Sequence, residues 1–351
     1  MKKLCRSVLI VPVVLAWAAL LYGPAAFAQA ESPMLYDKPD RHEKLLAAAV
    51  REGTLTVYTA FRPQDLPTIV GPFERKYGVK VKAWRSGTNI VTQRVLTEAA
   101  GNRAEVDVVM IPAGDMVQLY REKILQPVHS PFFKDLIPGA LPAHRSWATV
   151  FMNVTVQTYN TNRIKKEDLP RTYQDLLDPK WKGNLGVESK AEEWFSTVVR
   201  SMGEEKGTKL FRDIMARNGM SVRLGVSLLQ NLVVAGEVPL ALTVYIDLPE
   251  KDKRAGKPVE WFALEPVVAQ GFNVGLARRA PHPNAALLFY DYMLSPETQK
   301  LLASLHYFPA NAGVPSPYPD LKLHVVDPDY TVDNFDKWSK AFEDTVTKQA
   351  R

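Results

Sequence analysis

Cysteine is almost absent from this sequence, because Cys5 is the only one among 351 residues. A single cysteine cannot form an intrachain disulfide, and it supplies too few thiolates for a cysteine-based zinc site or an iron–sulfur cluster. We also expect no thiol nucleophile. The remaining composition, with 46% hydrophobic and 23% charged residues, is typical of a packed globular protein of one large or two ordinary domains.

The short motifs of several enzyme classes are also missing. The sequence contains neither a G-x-S-x-G nucleophile elbow nor an H-E-x-x-H zinc motif, and it has neither of the glycine-rich phosphate loops. Its six histidines are scattered, which is typical of surface and packing positions: His42, His129, His144, His282, His306 and His324. We therefore expect a protein that is not an enzyme and that needs no cofactor and no metal.

A strong excess of one charge is likewise missing from the body of the chain. The formal net charge is +6, but three of the cations, Lys2, Lys3 and Arg6, precede an apolar run at residues 8–22. Without them the balance is 41 cations against 38 acids, or +3. Such a weak excess does not indicate a nucleic-acid partner.

The N-terminus has the pattern of a cleaved secretion signal. Its apolar run of 15 residues is shorter than the roughly 20 residues that a membrane-spanning helix needs. Small-residue sites at 26–28 and 28–30 predict cleavage after Ala28 or Ala30. We thus expect residues 1–28 to be a signal peptide and the mature protein to be soluble in the periplasm.

The first part of the mature chain alternates between helical and β patterns. Helices are predicted at 42–52, 66–77, 90–100 and 116–123, and strands at 55–59, 79–84 and 106–111. Gly53, Gly78 and Gly101 follow the first three helices and predict their ends. Strands that alternate with helices predict an α/β unit with a mostly parallel sheet.

A second α/β set follows a β-rich segment at 148–159. Strands are predicted at 186–188 and 238–245, helices at 192–202, 207–218 and 227–235, and a further β-segment at 267–277 precedes helices at 282–294 and 296–303. The two extended segments suggest that the chain crosses between two lobes. We assign residues 31–150 plus 275–351 to lobe one and residues 151–274 to lobe two, with a ligand cleft between them.

Candidate ligand-binding residues lie in loops where strands lead into helices, since ligands bind there in open α/β sheets. Arg62, Arg85 and Arg223 are candidates for binding an anion. The further candidates are Tyr58, Thr59, Ser86, Thr88, Glu188, Ser189, Tyr245 and Asp247. Each arginine can equally be a surface residue paired with an acid, each aromatic ring can belong to the core, and the hydroxyls can cap a helix.

Several motifs, in order along the chain, resemble a known family. They are the segments 53–58 (GTLTVY), 73–81 (FERKYGVKV), 159–161 (YNT), 169–183 (LPRTYQDLLDPKWKG), 236–241 (GEVPLA) and 280–286 (APHPNAA). They are similar to ferric-iron-type extracellular solute-binding proteins of ABC importers. This resemblance covers roughly residues 53–311. It implies the type 2 periplasmic binding protein fold and a role in handing a captured solute to the permease subunits of an ABC importer.

The resemblance also implies where iron ligands would lie if this chain bound iron as other family members do. Iron-binding members typically use a consecutive Tyr-Tyr pair in lobe two, with a His after the first strand and a Glu after the third. Here the matching segment reads Tyr245-Ile246-Asp247, the first loop has Phe61-Arg62, and the third has Ile111-Pro112-Ala113. Phenolate and carboxylate oxygens suit Fe³⁺, but Ile246 and Asp247 stand where the tyrosine pair would fall, and all of the expected ligands are missing. A shift of register would recover Tyr245 alone, and Asp247 could still bind a metal.

We therefore predict a monomeric periplasmic receptor for a small organic or phosphonate-like anion. Ferric iron, free or chelated, is the alternative ligand. A ligand-sensing periplasmic subunit and a secreted enzyme on the same fold are alternative roles.

Overall fold

The computed structural model describes residues 33–349, and the predicted signal peptide lies outside this range. The first lobe contains α1 (Arg41–Glu52), β1 (Thr54–Thr59), α2 (Leu66–Tyr77), β2 (Lys80–Arg85), α3 (Thr88–Ala100), β3 (Val108–Pro112) and α4 (Ala113–Arg121). The long strand β4 (Trp147–Asn160) leads out of it. The predicted βα alternation of this region is confirmed.

The second lobe follows along the chain. It contains β5 (Leu185–Glu188), α5 (Glu192–Ser201), α6 (Glu204–Arg217), β6 (Ser221–Arg223), α7 (Val226–Ala235), β7 (Leu240–Tyr245), α8 (Asp247–Arg254) and β8 (Val259–Phe262). Helix α8 includes the first half of the strongly basic segment 251–257. Acids at the start of α8 and cations at its end favour this helix through its dipole.

The chain then returns through β9 (Val267–Leu276) to the first lobe. The last elements are α9 (Pro283–Leu294), α10 (Pro296–Ser304), β10 (Phe308–Pro309), β11 (Leu323–Val325), α11 (Pro328–Asp333) and α12 (Phe335–Thr345). Within the described residues, five short 3₁₀ helices lie at Phe133–Asp135, Lys166–Asp168, Tyr173–Leu177, Pro179–Trp181 and Thr347–Gln349.

The strands pair in the order β2-β1-β3-β9-β4-β7-β5-β6, with β8 and β10 on β4 and β11 on β9. Pairing is parallel within β2-β1-β3 and within β7-β5-β6. The two groups are joined by β4 and β9, which run antiparallel to each other and to their outer neighbours. The expected architecture, two α/β lobes connected by extended crossing segments, is confirmed.

Glycine ends the first two helices as predicted. Gly53 and Gly78 have φ values of 69° and 70°, and the backbone N–H of each bonds a carbonyl of the preceding turn. This left-handed conformation is open to glycine because it has no Cβ. The chain can therefore turn directly from α1 into β1.

Each lobe has its own apolar core. In the first lobe, Phe73 of α2 packs edge-on against Phe289 of α9 at 5.0 Å between ring centres. In the second lobe, Phe195 of α5 and Phe211 of α6 lie 5.2 Å apart. Burial of such rings is the main favourable contribution to each lobe's stability.

The C-terminal segment crosses from one lobe to the other. Helix α11 packs on α4 of the first lobe, whereas α12 packs on α5 and α6 of the second. Trp338 and Phe342 of α12 are buried in the same cluster as Phe195. The sequence-based boundary assigned residues 275–351 to lobe one as a block. The apolar face of α12 instead meets the apolar face of α5.

Candidate functional site

A groove lies where the strand ends of the two lobes meet. Its volume is about 480 Å³. The side chains that line it come from the ends of β2, β3, β5 and β7, from the first turns of α3, α4, α5 and α7, and from the C-terminal segment. This position agrees with the rule that ligands bind beyond the carboxyl ends of strands.

Two smaller chambers open into this groove, and both are lined by Val226 and Tyr245. The first, here the basic chamber, is lined also by Ala60, Phe61, Arg62, Arg85, Thr88, Pro112, Phe151, Asn153, Ser227, Phe272 and Tyr307. The second, here the acidic chamber, is lined also by Thr155, Glu188, Lys190, Ala191, Glu193, Trp194, Thr243, Val268 and Gln270. Tyr245 therefore lies between chambers of different charge.

Two arginines give the basic chamber its charge. Arg85 extends from the end of β2, and its Nε donates to the carbonyl of Phe61 at 3.1 Å. Arg62 follows β1, as predicted, and lies at the base of the chamber. Thr88 and Ser227 add hydroxyl groups from the starts of α3 and α7. A chamber with guanidinium groups, hydroxyls and no lining carboxylate suits an anionic group.

Arg62 forms an ion pair with Asp247 of the other lobe. Its Nη2 donates to Asp247 Oδ1 at 2.9 Å, and its Nε lies 2.8 Å from Oδ2. Asp247 is buried, and burial raises the pKa of its carboxyl group, whereas Arg62 and Lys251 act in the opposite direction. Half of the positive charge that the two chamber arginines carry is thus already balanced within the protein.

A second ion pair continues this contact between the lobes. Lys251 Nζ lies 2.6 Å from Asp65 Oδ2 and 3.7 Å from Asp247 Oδ2. Tyr307 donates its hydroxyl to Asp65 at 2.6 Å. Tyr307 also packs on Phe151 of β4, one of the strands that join the lobes. The charged contacts therefore lie beside the crossing strands.

The carboxylates of the acidic chamber differ in their contacts. Glu188 accepts hydrogen bonds from the backbone N–H groups of Lys190 and Gly225, so it holds together the loops after β5 and β6. Glu193 lies one turn further on, in the first turn of α5. Burial, together with the nearby acids Asp115 and Glu192, raises the pKa of Glu193 to about 7.

Glu193 reaches across the groove to the first lobe. A Cβ atom built on Gly114, in the first turn of α4, would lie 3.3 Å from Glu193 Oε1. Asp115 is next to Gly114 and accepts a hydrogen bond from Thr92 Oγ1 at 2.8 Å. Burial raises the pKa of Asp115 as well. Two carboxylates from different lobes therefore face each other over the groove.

Tyr245 is held in place by a neighbour from β9. Gln270 donates its amide N–H to the Tyr245 hydroxyl at 2.9 Å. Burial and the nearby acids Glu193 and Glu188 raise the pKa of Tyr245, so its phenol remains protonated at neutral pH. In this state its oxygen can accept and its proton can be donated to a ligand.

Six of the predicted site residues line the groove, its chambers or their base: Arg62, Arg85, Thr88, Glu188, Tyr245 and Asp247. Five do not line these chambers: Tyr58, Thr59, Ser86, Ser189 and Arg223. Tyr58 of β1 is buried beside Trp84 of β2 and donates its hydroxyl to Glu98 at 3.0 Å, and burial raises its pKa to about 12. Thr59 is buried as well and donates to the Met110 carbonyl.

The other three residues have local contacts. The backbone N–H of Ser86 bonds Thr59, and the backbone N–H of Ser189 bonds the Arg223 carbonyl. Arg223 itself is exposed and donates to the carbonyl of Val222. Ser86 and Ser189 lie one residue beyond Arg85 and Glu188, the last residues of β2 and β5, and they are absent from the linings of the groove and its chambers.

Sequence reasoning missed Asp115, Glu193, Asn153, Ser227 and Gln270. Glu193 follows Glu192 in the first turn of a helix, where charged side chains are usually solvated. The rule that identified Glu188, a polar residue where a strand leads into a helix, also applies to Asp115, which directly precedes the predicted helix at 116–123. Gln270 had no such signal, because it lies inside a strand whose contact with Tyr245 depends on the tertiary structure.

No group of three or more His, Cys, Asp or Glu side chains within residues 33–349 is arranged to hold a metal ion. Among the helices of the same range, none is long and apolar enough to cross a membrane.

Comparisons with known proteins show the family and the fold. Residues 68–322 match the family model described as bacterial extracellular solute-binding protein. Iron uptake protein A1 from Synechocystis sp. is 27% identical over 263 residues, which cover 69% of this chain and 72% of that protein.

Two solved structures have a similar fold. AfuA from Actinobacillus pleuropneumoniae, with bound fructose-6-phosphate, has a TM-score of 0.72 and 21% identity over 84% of this chain and 99% of that one. Iron-bound HitA from Pseudomonas aeruginosa has a TM-score of 0.71 and 20% identity over 82% of this chain and 98% of that one. The expected type 2 periplasmic binding protein fold is confirmed.

Proposed function

This chain belongs to the bacterial extracellular solute-binding protein family, and from that premise we propose that it is a periplasmic receptor that binds a small organic anion and delivers it to an ABC importer. Members of the family are binding proteins that work with importer permeases. The observation that carries the choice of ligand is the basic chamber, where Arg62 and Arg85 lie among hydroxyls, an amide and aromatic rings with no lining carboxylate.

In this proposal, Arg85 is the main partner of the ligand's anionic group. Asp247 already neutralises Arg62, whereas the contact of Arg85 within residues 33–349 is the single bond from Nε to a carbonyl. Thr88, the first residue of α3, lines the same chamber, and the helix dipole there favours negative charge. Hydrogen bonds to a charged group contribute about 1.5–3 kcal/mol each.

Binding is coupled to the approach of the lobes. Arg85 and Thr88 come from the first lobe, whereas Ser227 and Tyr245 come from the second, so a ligand that contacts both groups holds the lobes together. The crossing strands β4 and β9 take up the rotation. We place the lobe boundaries near residues 150 and 275, with α12 as an additional connection on the second lobe. A small change of dihedral angles in such segments is a common means of domain closure.

Ferric iron is the second candidate ligand, because Iron uptake protein A1 and iron-bound HitA carry iron in their names. AfuA, in contrast, has fructose-6-phosphate bound. In this chain β7 ends with one phenol, Tyr245. The buried Ile246 follows, and then Asp247, whose carboxylate is paired with Arg62. These contacts favour the organic anion.

A thermal-shift screen of the exported protein, refolded to remove copurified ligand, tests the proposal. Its probes are alkylphosphonates, short carboxylates, inorganic phosphate, fructose-6-phosphate, and ferric iron with and without citrate. A ligand that binds the native state raises the midpoint by mass action. A shift with organic anions supports the proposal, and a shift with ferric iron alone overturns it in favour of the second candidate.

A further inference from the structure

The basic and the acidic chamber lie on opposite sides of the Tyr245 side chain. Tyr245 lines both of them, with Arg62 and Arg85 on one side and Glu188 and Glu193 on the other. If the ligand carried only an anionic group, the acidic chamber would be filled with water. A ligand that extends past Tyr245 would place a second group beside the carboxylates.

Glu193 is the carboxylate that is available to such a group. Glu188 is engaged by two backbone N–H groups, whereas the Glu193 carboxylate makes no hydrogen bond and no ion pair with any residue in the range 33–349. It is partly buried, and its Oε1 approaches Gly114 of the other lobe. A partly buried carboxylate without a partner is unfavourable until a donor binds it.

The negative charges around Glu193 favour a cationic donor as its partner. Asp115 acts on Glu193 from the first lobe and Glu192 acts on it from the same helix, and both repel a second negative charge. Lys190 is exposed at the rim, and its charge acts on Glu192. An ammonium group between Glu193 and Asp115 would attract both carboxylates and relieve their repulsion across the groove.

We propose that the ligand is a zwitterion, an organic anion that carries an amine which binds Glu193 while its anionic group binds Arg85. This inference rests on the proposed function, because it assumes that the basic chamber holds the anion. Gln270 and the Tyr245 hydroxyl lie between the two groups and offer further oxygen acceptors. Glu193 is then a specificity-determining residue.

The test compares aminoalkylphosphonates of two to four carbons with alkylphosphonates of the same length, by titration calorimetry at pH 8. We expect the wild-type protein to bind the best amine at least about tenfold more tightly than its matched alkyl compound. Glu193→Gln keeps the size of the side chain and removes its charge. It should abolish most of this preference, because the amine loses its charged partner.

Glu205→Gln is the matched control, because Glu205 is exposed on α6 and does not line the groove. It should keep the full preference for the amine. Three results would overturn the zwitterion while leaving the anion receptor in place. Glu193→Gln could keep the preference for the amine, or every amine could bind with the same affinity as its alkyl partner. The third is tighter binding of 2-hydroxyethylphosphonate or fructose-6-phosphate than of every amine. If no organic anion of any class binds, the proposed function itself fails.

Discussion

Arg62 and Asp247 are 185 residues apart in the sequence and form a two-point ion pair at the base of the groove. Each comes from a different lobe, and each follows the strand that leads to it, β1 for Arg62 and β7 for Asp247. The pair removes one arginine from the charge available to a ligand. It also connects the lobes independently of the crossing strands.

Asp247→Asn should destabilise the protein, because it leaves the Arg62 guanidinium largely buried without a counter-charge. Removal of one partner of a buried pair typically costs about 3–5 kcal/mol. Urea unfolding should show this loss. The double variant Arg62→Gln with Asp247→Asn is the control and should recover most of the stability, since it removes both charges. An unchanged midpoint in Asp247→Asn would mean that the pair does not form in solution.

Arg85→Gln should weaken the binding of an alkylphosphonate by about tenfold or more, since it removes a charged donor worth about 1.5–3 kcal/mol. Calorimetry measures this effect. Thermal stability should change little, because Arg85 is exposed. Arg223→Gln is the matched control: Arg223 is exposed, bonds a neighbouring carbonyl and lies outside the chamber linings. Equal losses in the two variants would remove Arg85 from the site.

The pKa of Glu193 predicts a pH-dependent stability. Its value of about 7 in the folded protein exceeds the usual 4.5, so between these pH values the native state holds more protons than the unfolded chain. The free energy of unfolding should therefore fall as the pH rises through this window. Glu193→Gln lacks this loss, and its melting temperature relative to wild type should increase by about 2 °C or more between pH 5 and pH 8.

Glu205→Gln provides the reference for this measurement, since Glu205 is exposed and its substitution should give a difference in melting temperature that hardly varies with pH. Asp115 and Glu192 are the acids that face Glu193, and both remain in the variant. A constant difference for Glu193→Gln over the same range would show that this carboxyl group titrates normally.

Trp338→Ala should destabilise the protein by about 3–5 kcal/mol, as is usual for truncation of a large buried side chain. Trp338 is buried against Phe195, and its indole N–H donates to the Tyr330 hydroxyl at 3.1 Å. Urea unfolding measures the loss.

Arg121→Gln is the comparison for the other end of the C-terminal segment. Arg121 pairs with Asp329 and Asp333 of α11, but all three side chains are well exposed. Such pairs contribute about 1 kcal/mol or less. If Arg121→Gln lowered the free energy of unfolding as much as Trp338→Ala does, the exposed ion pairs between α4 and α11 would contribute as much to stability as the burial of Trp338.

Local sequence patterns were sufficient to predict most of the helices and strands. The glycines after α1 and α2 mark the ends of those helices because their conformation requires no Cβ, and alternating apolar residues mark β1 and β2 because side chains in a strand alternate between faces. The order of strands and helices then predicted two α/β lobes. It did not predict that α12 packs on the second lobe, because an apolar helix face does not specify its partner.

For the candidate site, the sequence by itself determined the loops and several of their residues. Arg62, Arg85, Thr88, Glu188 and Tyr245 were identified because each lies at the end of a strand or the start of a helix. Only the tertiary structure decided which of these charges are free: it paired Arg62 with Asp247 and placed Glu193 opposite Gly114. Such contacts join residues far apart in the chain. Their geometry depends on how whole lobes pack, which no local pattern records.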